Sequence, residues 1–425
     1  MTGRMLVALT AAALGFGQTP LTVTLQDALA RARQHAGQIQ SANLAALQAK
    51  EDRVQARAAA LPSLNAFNQF IYTEGNGTPS GVFVANDGVH VYNEQAVVHQ
   101  ELLSVVRRGE IRRAMAAEAV ARAKVEVAAR GLSATVVQDY YAIVAAERKL
   151  KNAETSLHEA ERFNDITDKQ EKGGEVAHAD VIKSQIDLEQ RRRDMVDAQL
   201  AIEKAKIALG VLIFPNFAAD FQVVDDLQQA ELPPLPSEAH PQAVDASPDL
   251  KAAKAGVLQA NYDVDVARYA FLPSFGFDFY YGIDANQFAT QSRERHNLGY
   301  SAVATLNIPV WNWGATRSKI KQAELKRDQA QLDLSVAQRA LDSNLAAAYA
   351  EVRAAQSQLV SLRRSVDLSA ESLRLMLLRY QAGEATALEV VDAQNTANQA
   401  RNALDDGLAR SRVALANLQI LTGRF

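Results

Sequence analysis

The sequence contains an internal repeat, and this feature limits the possible folds more than any other. Residues 47–64 (LQAKEDRVQARAAALPSL) align with residues 258–275 (LQANYDVDVARYAFLPSF), and both copies reach the same Leu-Pro-Ser boundary. Self-similarity on this scale indicates two copies of one structural unit. We therefore predict a first structural repeat over 18–231 and a second over 247–425.

A proline-rich segment separates the two repeats. It spans 232–246 and includes the sequence PPLPSEAHP at 233–241. Proline has no backbone N–H and interrupts the interior of a helix. This pattern predicts a linker in which 233–241 is not a continuous helix.

Composition favours helices and excludes several kinds of site. Apolar residues make up 48% of the chain and aromatic residues 6%, a balance rich in Ala, Leu, Gln and Arg that is typical of long helices. The absence of cysteine excludes disulfides, thiolate metal sites and a cysteine nucleophile. The formal net charge is -4 with both signs interspersed, so there is no basic surface for nucleic acid.

The N-terminus has the layout of a secretory signal. Arg4 precedes an apolar stretch from Met5 to Phe16, and small residues follow. We predict that residues 1–17 are a signal peptide and that the protein is exported; a mis-assigned start or a buried first helix is the alternative. No other stretch approaches the ~20 apolar residues of a membrane-spanning helix, so strands would have to make any contact with a bilayer.

Apolar residues recur every seven positions in both repeats, before and after a glycine turn. A strict seven-residue period indicates left-handed supercoiling of packed helices. It predicts helical hairpins at about 131–212 and about 341–421. The four rows are Val136, Ile143, Leu150 and Leu157; Val181, Leu188, Met195, Ile202 and Leu209; Leu345, Val352, Leu359, Val366, Leu373 and Tyr380; and Val390, Ala397, Leu404, Ser411 and Leu418.

The helix after the first glycine turn carries a second apolar row. Ile186, Leu200 and Ile207 follow the first row by five positions, which places them about 140° around the helix. Two such faces suit a closed ring of helices, in which each helix meets two neighbours. A helix buried in an ordinary bundle also has a wide apolar surface, and both interpretations stay open.

Each repeat also contains two segments in which apolar and polar side chains alternate. They predict strands at about 63–73, 91–102, 274–284 and 298–308. These lengths match the ~9–11 residues of a tilted membrane strand. One side of the third strand carries Phe275, Phe277, Phe279, Tyr281 and Ile283. We predict that this side faces lipid; the alternative is a soluble hairpin that packs its aromatic face on the helices.

Four strands per chain predict an oligomer. Closing a barrel takes about eight strands or more, and an open sheet edge is not tolerated in hydrocarbon. The chain therefore has to share its sheet with identical chains. Three copies would supply twelve strands and twelve long helices, which form a tube that is sheet at one end and helix at the other.

Nothing in the sequence indicates an enzyme. The histidines are scattered singly, no HExxH motif or phosphate-binding loop is present, and no nucleophile lies beside a base. We predict no catalytic residue, no cofactor and no metal site. His178, near the first glycine turn, is the histidine that we consider as a pH-sensitive contact to a partner.

Several segments resemble the TolC-like family of outer-membrane efflux proteins, and the similarity covers nearly the whole mature chain. LNIPVWNWG at 306–314 is similar to the strand-to-helix exit of the family, with a weaker first-repeat counterpart, QELLSVVRRG, at 100–109. RYQAGEATALEVVDAQ at 379–394 resembles its helix-tip turn, and LQILTG at 418–423 its C-terminal helix end. The resemblance implies a mainly α protein with a membrane β-barrel portion. Duplicated helix-strand-strand-helix-helix repeats of three chains would form a 12-stranded β-barrel and a long periplasmic α-helical barrel.

The resemblance also implies the function and the partners. Such a protein is a passive outer-membrane exit channel with a long periplasmic extension, and it contacts outer-membrane lipid. Its homotrimer docks a periplasmic adaptor (membrane fusion) protein and serves an inner-membrane pump of the RND, ABC or MFS class. The alternative is a periplasmic coiled-coil scaffold or adaptor protein without a membrane part.

The two glycine turns would be the periplasmic tips of the helical hairpins. The resemblance places adaptor contact on both tips, which suits sixfold contact on a threefold tube. Many family members carry an arginine two residues after the turn glycine that helps to latch the closed tip, and this chain has alanine there. The docking residues are Gly174, Glu175 and Val176 in the first turn and Gly383, Glu384 and Ala385 in the second.

Only the second turn is followed by an acidic pair. Glu389 and Asp392 are three positions apart and share a helix face, whereas Asp180 and Lys183 occupy the matching positions of the first repeat. In the family, matching positions carry acidic residues that ring the periplasmic entrance. The resemblance implies six carboxylates in one constriction, where like-charge proximity would raise their pKa values and favour cations. The alternative is a solvated helix face.

Overall fold

The chain is predominantly helical and carries one four-stranded sheet. The computed structural model describes residues 21–72, 90–216, 220–228, 233, 236–285, 288–292 and 295–424. The predicted signal peptide over 1–17 lies outside these residues. The first repeat contains β1 (Leu21–Val23), α1 (Leu25–His35), α2 (Gly37–Ala58), β2 (Ser63–Tyr72), β3 (His90–Leu103), α3 (Val105–Gly173), α4 (His178–Ile213) and β4 (Phe221–Val223). After it come α5 (Pro236–Ala246), α6 (Pro248–Tyr269), β5 (Ser274–Ala285), β6 (Gln291–Ser292), β7 (Arg295–His296), β8 (Leu298–Asn307), α7 (Ala315–Gln381) and α8 (Ala387–Thr422).

The helices α3 and α7 are longer than the sequence predicts. Their predicted hairpins start near 131 and 341, but the helices run without interruption from the strand exits at Val105 and Ala315. The seven-residue period marks only the part of each helix that packs in a coiled-coil manner, so it misses the rest. Within that part the rows face inward, since Val136 and Ile143 are fully buried and Val352 nearly so.

As predicted, 233–241 is not one continuous helix, because residue 233 lies outside any helix, but the linker is more helical than its prolines suggest. Residues from Pro236 to Ala246 form α5, and Pro241 lies inside this helix. Pro236 is the first residue of the helix, where no N–H is needed, and Pro241, the sixth of its 11 residues, removes one backbone hydrogen bond. Complete burial of Ala239 and Ala243 stabilises the helix from one side.

The four-stranded sheet joins the two repeats. Its order is β2-β3-β5-β8, and all three pairings are antiparallel. The central pairing is between β3 of the first repeat and β5 of the second, with His99 opposite Asp278. Within the described residues, β2 and β8 are edges that have no strand on their outer side.

The helix α4 has one covered face and one open face. It packs against α1 and α8, and the first apolar row is covered, as the burial of Val181 and Leu209 shows. The second row is open in the single chain: Ile186 is 58% exposed, Leu200 44% and Ile207 50%. The chain itself therefore covers one face of this helix, with α1 and α8, and leaves the second face uncovered.

The chain divides into two compact units that do not coincide with the repeats. One takes in the described residues of Met1–Gly37, Arg130–Pro236 and Ala346–Phe425, and the other Gln38–Ala129 and Ser237–Leu345. The first contains a short parallel pair, β1 with β4, which the sequence does not predict. The second contains the four-stranded sheet and the small antiparallel pair of β6 and β7. None of the helices in the described part of the chain has the length and apolar character to cross a membrane.

Candidate functional site

The two glycine turns have the same backbone geometry. Gly174 and Gly383 adopt left-handed φ values of 76° and 77°. In the first turn the amide of Gly174 donates to the carbonyl of Glu171 at 2.8 Å, and that of Glu175 donates to Gln170 at 2.9 Å. The second turn repeats both bonds, from Gly383 to Tyr380 and from Glu384 to Arg379, at 3.0 and 2.8 Å. Each helix therefore ends in a Schellman motif, which requires a residue that tolerates positive φ.

Replacing Gly383 by valine is expected to destabilise the second turn by about 1–2 kcal/mol. A Cβ at this position would have no atom within 4 Å, so the cost comes from the left-handed backbone alone. Amide exchange at 383 and 384 should accelerate by roughly 5–30-fold. Ala382→Val is the matched control, since it adds a β-branched side chain next to the turn at an ordinary φ. Equal protection in both variants would contradict the argument.

The predicted docking residues divide into exposed and covered positions. Gly174, Glu175, Gly383 and Glu384 are exposed, whereas Val176 and Ala385 are half-buried. Both covered residues pack against one apolar cluster behind the turns: Phe163, Tyr380, Ala387, Val390 and Val391. This cluster takes residues from both repeats, so the two turns are held together within a single chain.

Tyr380 fixes the two hairpins to each other. Its ring meets that of Phe163 edge-on, with centroids 5.1 Å apart. Its buried hydroxyl donates to Thr167 Oγ1 at 3.3 Å, and Thr167 Oγ1 in turn donates to the carbonyl of Phe163 at 2.9 Å. Farther from the turns, the Arg401 guanidinium makes a two-pronged pair with Glu159 at 2.8 and 3.2 Å.

The two turns differ in how the next helix begins. Thr386 caps α8 in a capping box: its amide donates to Glu389 Oε2 at 2.7 Å, and the amide of Glu389 donates to Thr386 Oγ1 at 3.4 Å. At the matching position, Ala177 offers no side-chain cap to α4. The Thr-x-x-Glu pattern at 386–389 signals this cap in the sequence, and the sequence prediction overlooked it. Glu389 thus has a structural role in capping α8. This role is one reason why a glutamate occupies this position after the second turn and not the matching position after the first.

Glu389 and Asp392 are both exposed on α8 in the single chain. Hydrogen bonds from the backbone and then the side chain of Thr386 lower the pKa of Glu389. Within one chain this is opposite to the raised pKa expected for a carboxylate ring. Because the folded-state pKa is lowered, the stabilisation is present at neutral pH and is lost as pH falls through that value.

His178 forms an exposed contact between the ends of α3 and α4. Its Nδ1 lies 2.6 Å from Glu171 Oε1. Glu171 also supplies the carbonyl that closes the first turn. The second repeat has alanine at the position of His178, Ala387, and that alanine is fully buried.

A buried ionic cluster lies on α4, about three to four helical turns from the start of that helix at His178. Arg191 Nη2 is 3.0 Å from Asp187 Oδ1, and the two side chains are 4% and 5% exposed. The same guanidinium donates to Asn395 Oδ1 on α8 at 2.5 Å and reaches Asp194 at 3.4 Å. Burial raises the pKa of Asp187, and the charge of Arg191 opposes that rise. The sequence prediction did not identify this cluster.

The described residues hold no group of three or more His, Asp or Glu side chains that could bind a metal ion. The predicted tip residues instead form two exposed glycine turns, with an acidic pair beside the second. Such an arrangement offers a surface for a protein partner and carboxylates for cations. It does not place a nucleophile beside a base.

Comparison with known proteins gives a family and a fold. The family described as "Outer membrane efflux protein" matches residues 28–213 and 240–424. The chain is 27% identical over 166 residues to the outer membrane efflux protein BepC of Brucella suis biovar 1 (strain 1330), covering 39% of this chain and 36% of BepC. It is 27% identical over 322 residues to the outer membrane protein OprJ of Pseudomonas aeruginosa, covering 72% of this chain and 63% of OprJ. The chain thus aligns with less than two thirds of the length of these relatives.

A solved structure shows the same fold. The Campylobacter jejuni CmeC outer membrane channel superposes with a TM-score of 0.82 at 18% identity, covering 94% of this chain and 85% of CmeC. The long helical hairpins and the four-stranded sheet therefore have the same fold as this solved structure.

Proposed function

Because the chain belongs to the outer membrane efflux protein family, we propose that it is the outer-membrane exit channel of a tripartite efflux or type I secretion system. It conducts substrates passively from an inner-membrane pump and a periplasmic adaptor to the outside. The observation that carries this proposal is the sheet of four antiparallel strands, whose two edges, β2 and β8, have no partner strand among the described residues. Family membership favours the channel over a periplasmic scaffold without a membrane part.

The open surfaces of the chain support a homotrimer. Three copies joined edge to edge would give a closed barrel of twelve strands, and closure removes every edge from the hydrocarbon. The second apolar row of α4 supports the same assembly, since Ile186, Leu200 and Ile207 are about half exposed in one chain. In the trimer this row meets a helix of the adjacent copy, and the helices continue the tube into the periplasm.

The two turns support adaptor docking at the far end of the tube. Gly174 and Glu175 in one turn and Gly383 and Glu384 in the other present the same backbone shape to solvent. A trimer would carry six such turns, and an adaptor could bind each in the same way. Val176 and Ala385 hold the two turns in place, because their side chains pack on the apolar cluster beneath the turns.

Extraction and conductance test the proposal. The protein purified from membranes should require detergent, run as a trimer in native mass spectrometry and form channels in a planar bilayer. Ile186→Glu should reduce the trimer fraction more than tenfold, because it buries an unpaired charge. Gln185→Glu, an exposed neighbour on the same helix, should leave the trimer intact. A folded monomer in buffer without detergent would refute the proposal.

Docking has its own test. Cross-linking from cysteines introduced at Glu175 and Glu384 to a cognate adaptor should be efficient, and Gly383→Val should weaken it at the second turn. Ala382→Val should not. Undiminished cross-linking and efflux in Gly383→Val would remove the second turn from the docking surface.

A further inference from the structure

The two faces of the four-stranded sheet differ in polarity. Residues directly opposite each other in an antiparallel pair share a face, so the strand registers assign each side chain to one side. One face carries aromatic and aliphatic side chains on β5 and β8: Phe275, Phe277, Phe279, Tyr281, Ile283, Leu298, Tyr300, Ala302, Ala304 and Leu306. The other face carries mostly small, polar or ionisable side chains on β3 and β5: Asn93, Gln95, Val97, His99, Glu101, Gly276, Asp278, Tyr280, Gly282 and Asp284. In the proposed barrel the first face meets lipid and the second lines the water-filled pore.

A histidine–carboxylate pair joins the two repeats on this polar face. His99 of β3 lies directly opposite Asp278 of β5, and its Nδ1 is 2.6 Å from Asp278 Oδ1. The His99 side chain is 49% exposed and that of Asp278 is 21% exposed. The pair is therefore in contact with solvent on the side of the sheet that would line the pore.

The neighbouring strands leave the pair uncovered and bring no charge directly beside it. Ser63 of β2 lies opposite His99, and Val303 of β8 lies opposite Asp278. The His99 ring lies over Gly276, because a Cβ at that glycine would be 3.7 Å from the ring. No side chain therefore lies between the ring and its diagonal neighbour on β5.

The remaining titratable groups next to the pair leave its net charge unchanged. Glu101 follows His99 by two positions on β3, and its carboxylate is matched by Arg107, whose Nε lies 2.7 Å away. Tyr280 follows Asp278 by two positions on β5, and a tyrosine side chain is neutral at physiological pH. The charge of this part of the sheet therefore depends on His99 and Asp278 themselves.

The charge of such a pair depends on pH. A histidine side chain changes its charge between about pH 5 and 8, whereas an aspartate is ordinarily ionised throughout this range. The pair is then neutral when the imidazole is protonated and carries one negative charge when it is not. Rings of carboxylates attract cations into a pore.

We propose that His99 and Asp278 determine the ion preference of the barrel part of the proposed channel. Three such pairs, one from each chain, attract cations when the histidines are neutral and lose this attraction when they are protonated. This inference rests on the proposed function. It concerns a site separate from Glu389 and Asp392, since the sheet and α8 lie in different compact units of the chain.

Reversal potentials in a planar bilayer test the pair. A potassium chloride gradient is applied at about 0.01 M, where the screening length is about 30 Å. Only the compartment at the barrel end is acidified, from about pH 7.5 to about pH 5.5, the range in which histidine changes charge. The permeability ratio of potassium to chloride should fall about twofold on acidification. In about 1 M salt, where the screening length is about 3 Å, the fall should disappear.

Two variants assign the roles within the pair. His99→Gln keeps a hydrogen-bond donor for Asp278 but cannot take up a proton, so the ratio should stay at its neutral-pH value at both pH values. Asp278→Asn keeps an acceptor for His99 and removes the fixed charge. It should lower the ratio at both pH values and keep the fall on acidification.

His296→Gln is the matched control, because His296 is an exposed histidine of β7 outside the four-stranded sheet. It should leave the fall on acidification unchanged. A full fall in His99→Gln, or an unchanged ratio in Asp278→Asn, would overturn the proposal. Loss of trimer stability in detergent without a change in selectivity would also overturn it, because the pair would then only join the repeats. Failure of the unmodified protein to form any channel would count against the proposed function itself.

Discussion

Replacing Arg191 by alanine should lower the free energy of local opening around α4 by about 3–5 kcal/mol. Removing one partner of a buried ion pair leaves the other charge uncompensated, which costs about this much. Asp187 is that partner, because its carboxylate is 3.0 Å from the Arg191 guanidinium and both side chains are about 95% buried. Amide hydrogen exchange measures the effect without requiring the whole assembly to unfold reversibly.

A matched control and a rescue variant sharpen this prediction. Arg192→Ala removes an adjacent arginine that is 52% exposed and pairs with Glu189 on the surface, so it should change the free energy of opening by less than about 0.5 kcal/mol. The double variant Asp187→Leu with Arg191→Met should recover most of the loss, since an apolar pair of similar volume often replaces a buried ion pair without penalty. A double variant as unstable as Arg191→Ala would contradict this explanation.

The effect of Arg191→Ala should depend on pH. Burial already raises the pKa of Asp187, and removing the cation raises it further. A group whose pKa is raised in the folded state makes its full contribution to stability below its unfolded-state pKa, which is about 3.9 for Asp. That contribution is lost as pH rises through the folded-state pKa. The variant should therefore be least impaired near pH 4 and most impaired at neutral pH. A loss that is independent of pH would indicate missing packing and not a buried charge.

If the proposed channel has a carboxylate constriction, replacing Glu389 by glutamine and Asp392 by asparagine should reduce its preference for cations severalfold. The six carboxylates that the proposed trimer would place in the proposed constriction lose their charge, while the shapes of the side chains are kept. Glutamine can still accept the hydrogen bond that Thr386 donates to Glu389 at 2.7 Å, so the cap of α8 persists. Reversal potentials in a planar bilayer under a salt gradient measure the selectivity.

Asp180→Asn is the control for this measurement. It removes one carboxylate at the position that matches Glu389 in the first hairpin, where no second acidic residue follows three positions later. It should leave selectivity nearly unchanged, and Glu389→Gln alone should have an intermediate effect. If the double variant keeps its full selectivity, the constriction assignment is wrong, and the capping of α8 is the remaining role of Glu389.

The strands and the hairpin turns can be anticipated from the sequence because their signals are local. Alternation at 274–284 reflects the two unlike faces of a strand, and the observed β5 spans Ser274–Ala285. Positive φ at Gly174 and Gly383 follows from the need for glycine at a helix C-terminus. The pairing of β1 with β4 has no such signal, because three-residue strands form only where distant segments of the chain meet.

The misjudged features depend on tertiary context. Prolines in 233–241 suggest an interruption, yet α5 forms because its apolar side is buried. Arg191 looks like one of three consecutive surface arginines, and its burial depends on Asn395 of the other repeat. The cap of Thr386 on Glu389, in contrast, has a recognisable spacing and could have been predicted.

The open edges of the sheet have a consequence for how the protein matures. An unpaired strand edge readily adds any other strand, including the wrong one. In the proposed trimer, β2 of each chain pairs only with β8 of another chain. Both edges of the sheet therefore stay unpaired, and able to pair wrongly, until three chains meet. The yield of trimer should then rise steeply with the local concentration of chains. A factor that covers the sheet edges of each single chain before assembly should reduce wrong pairing.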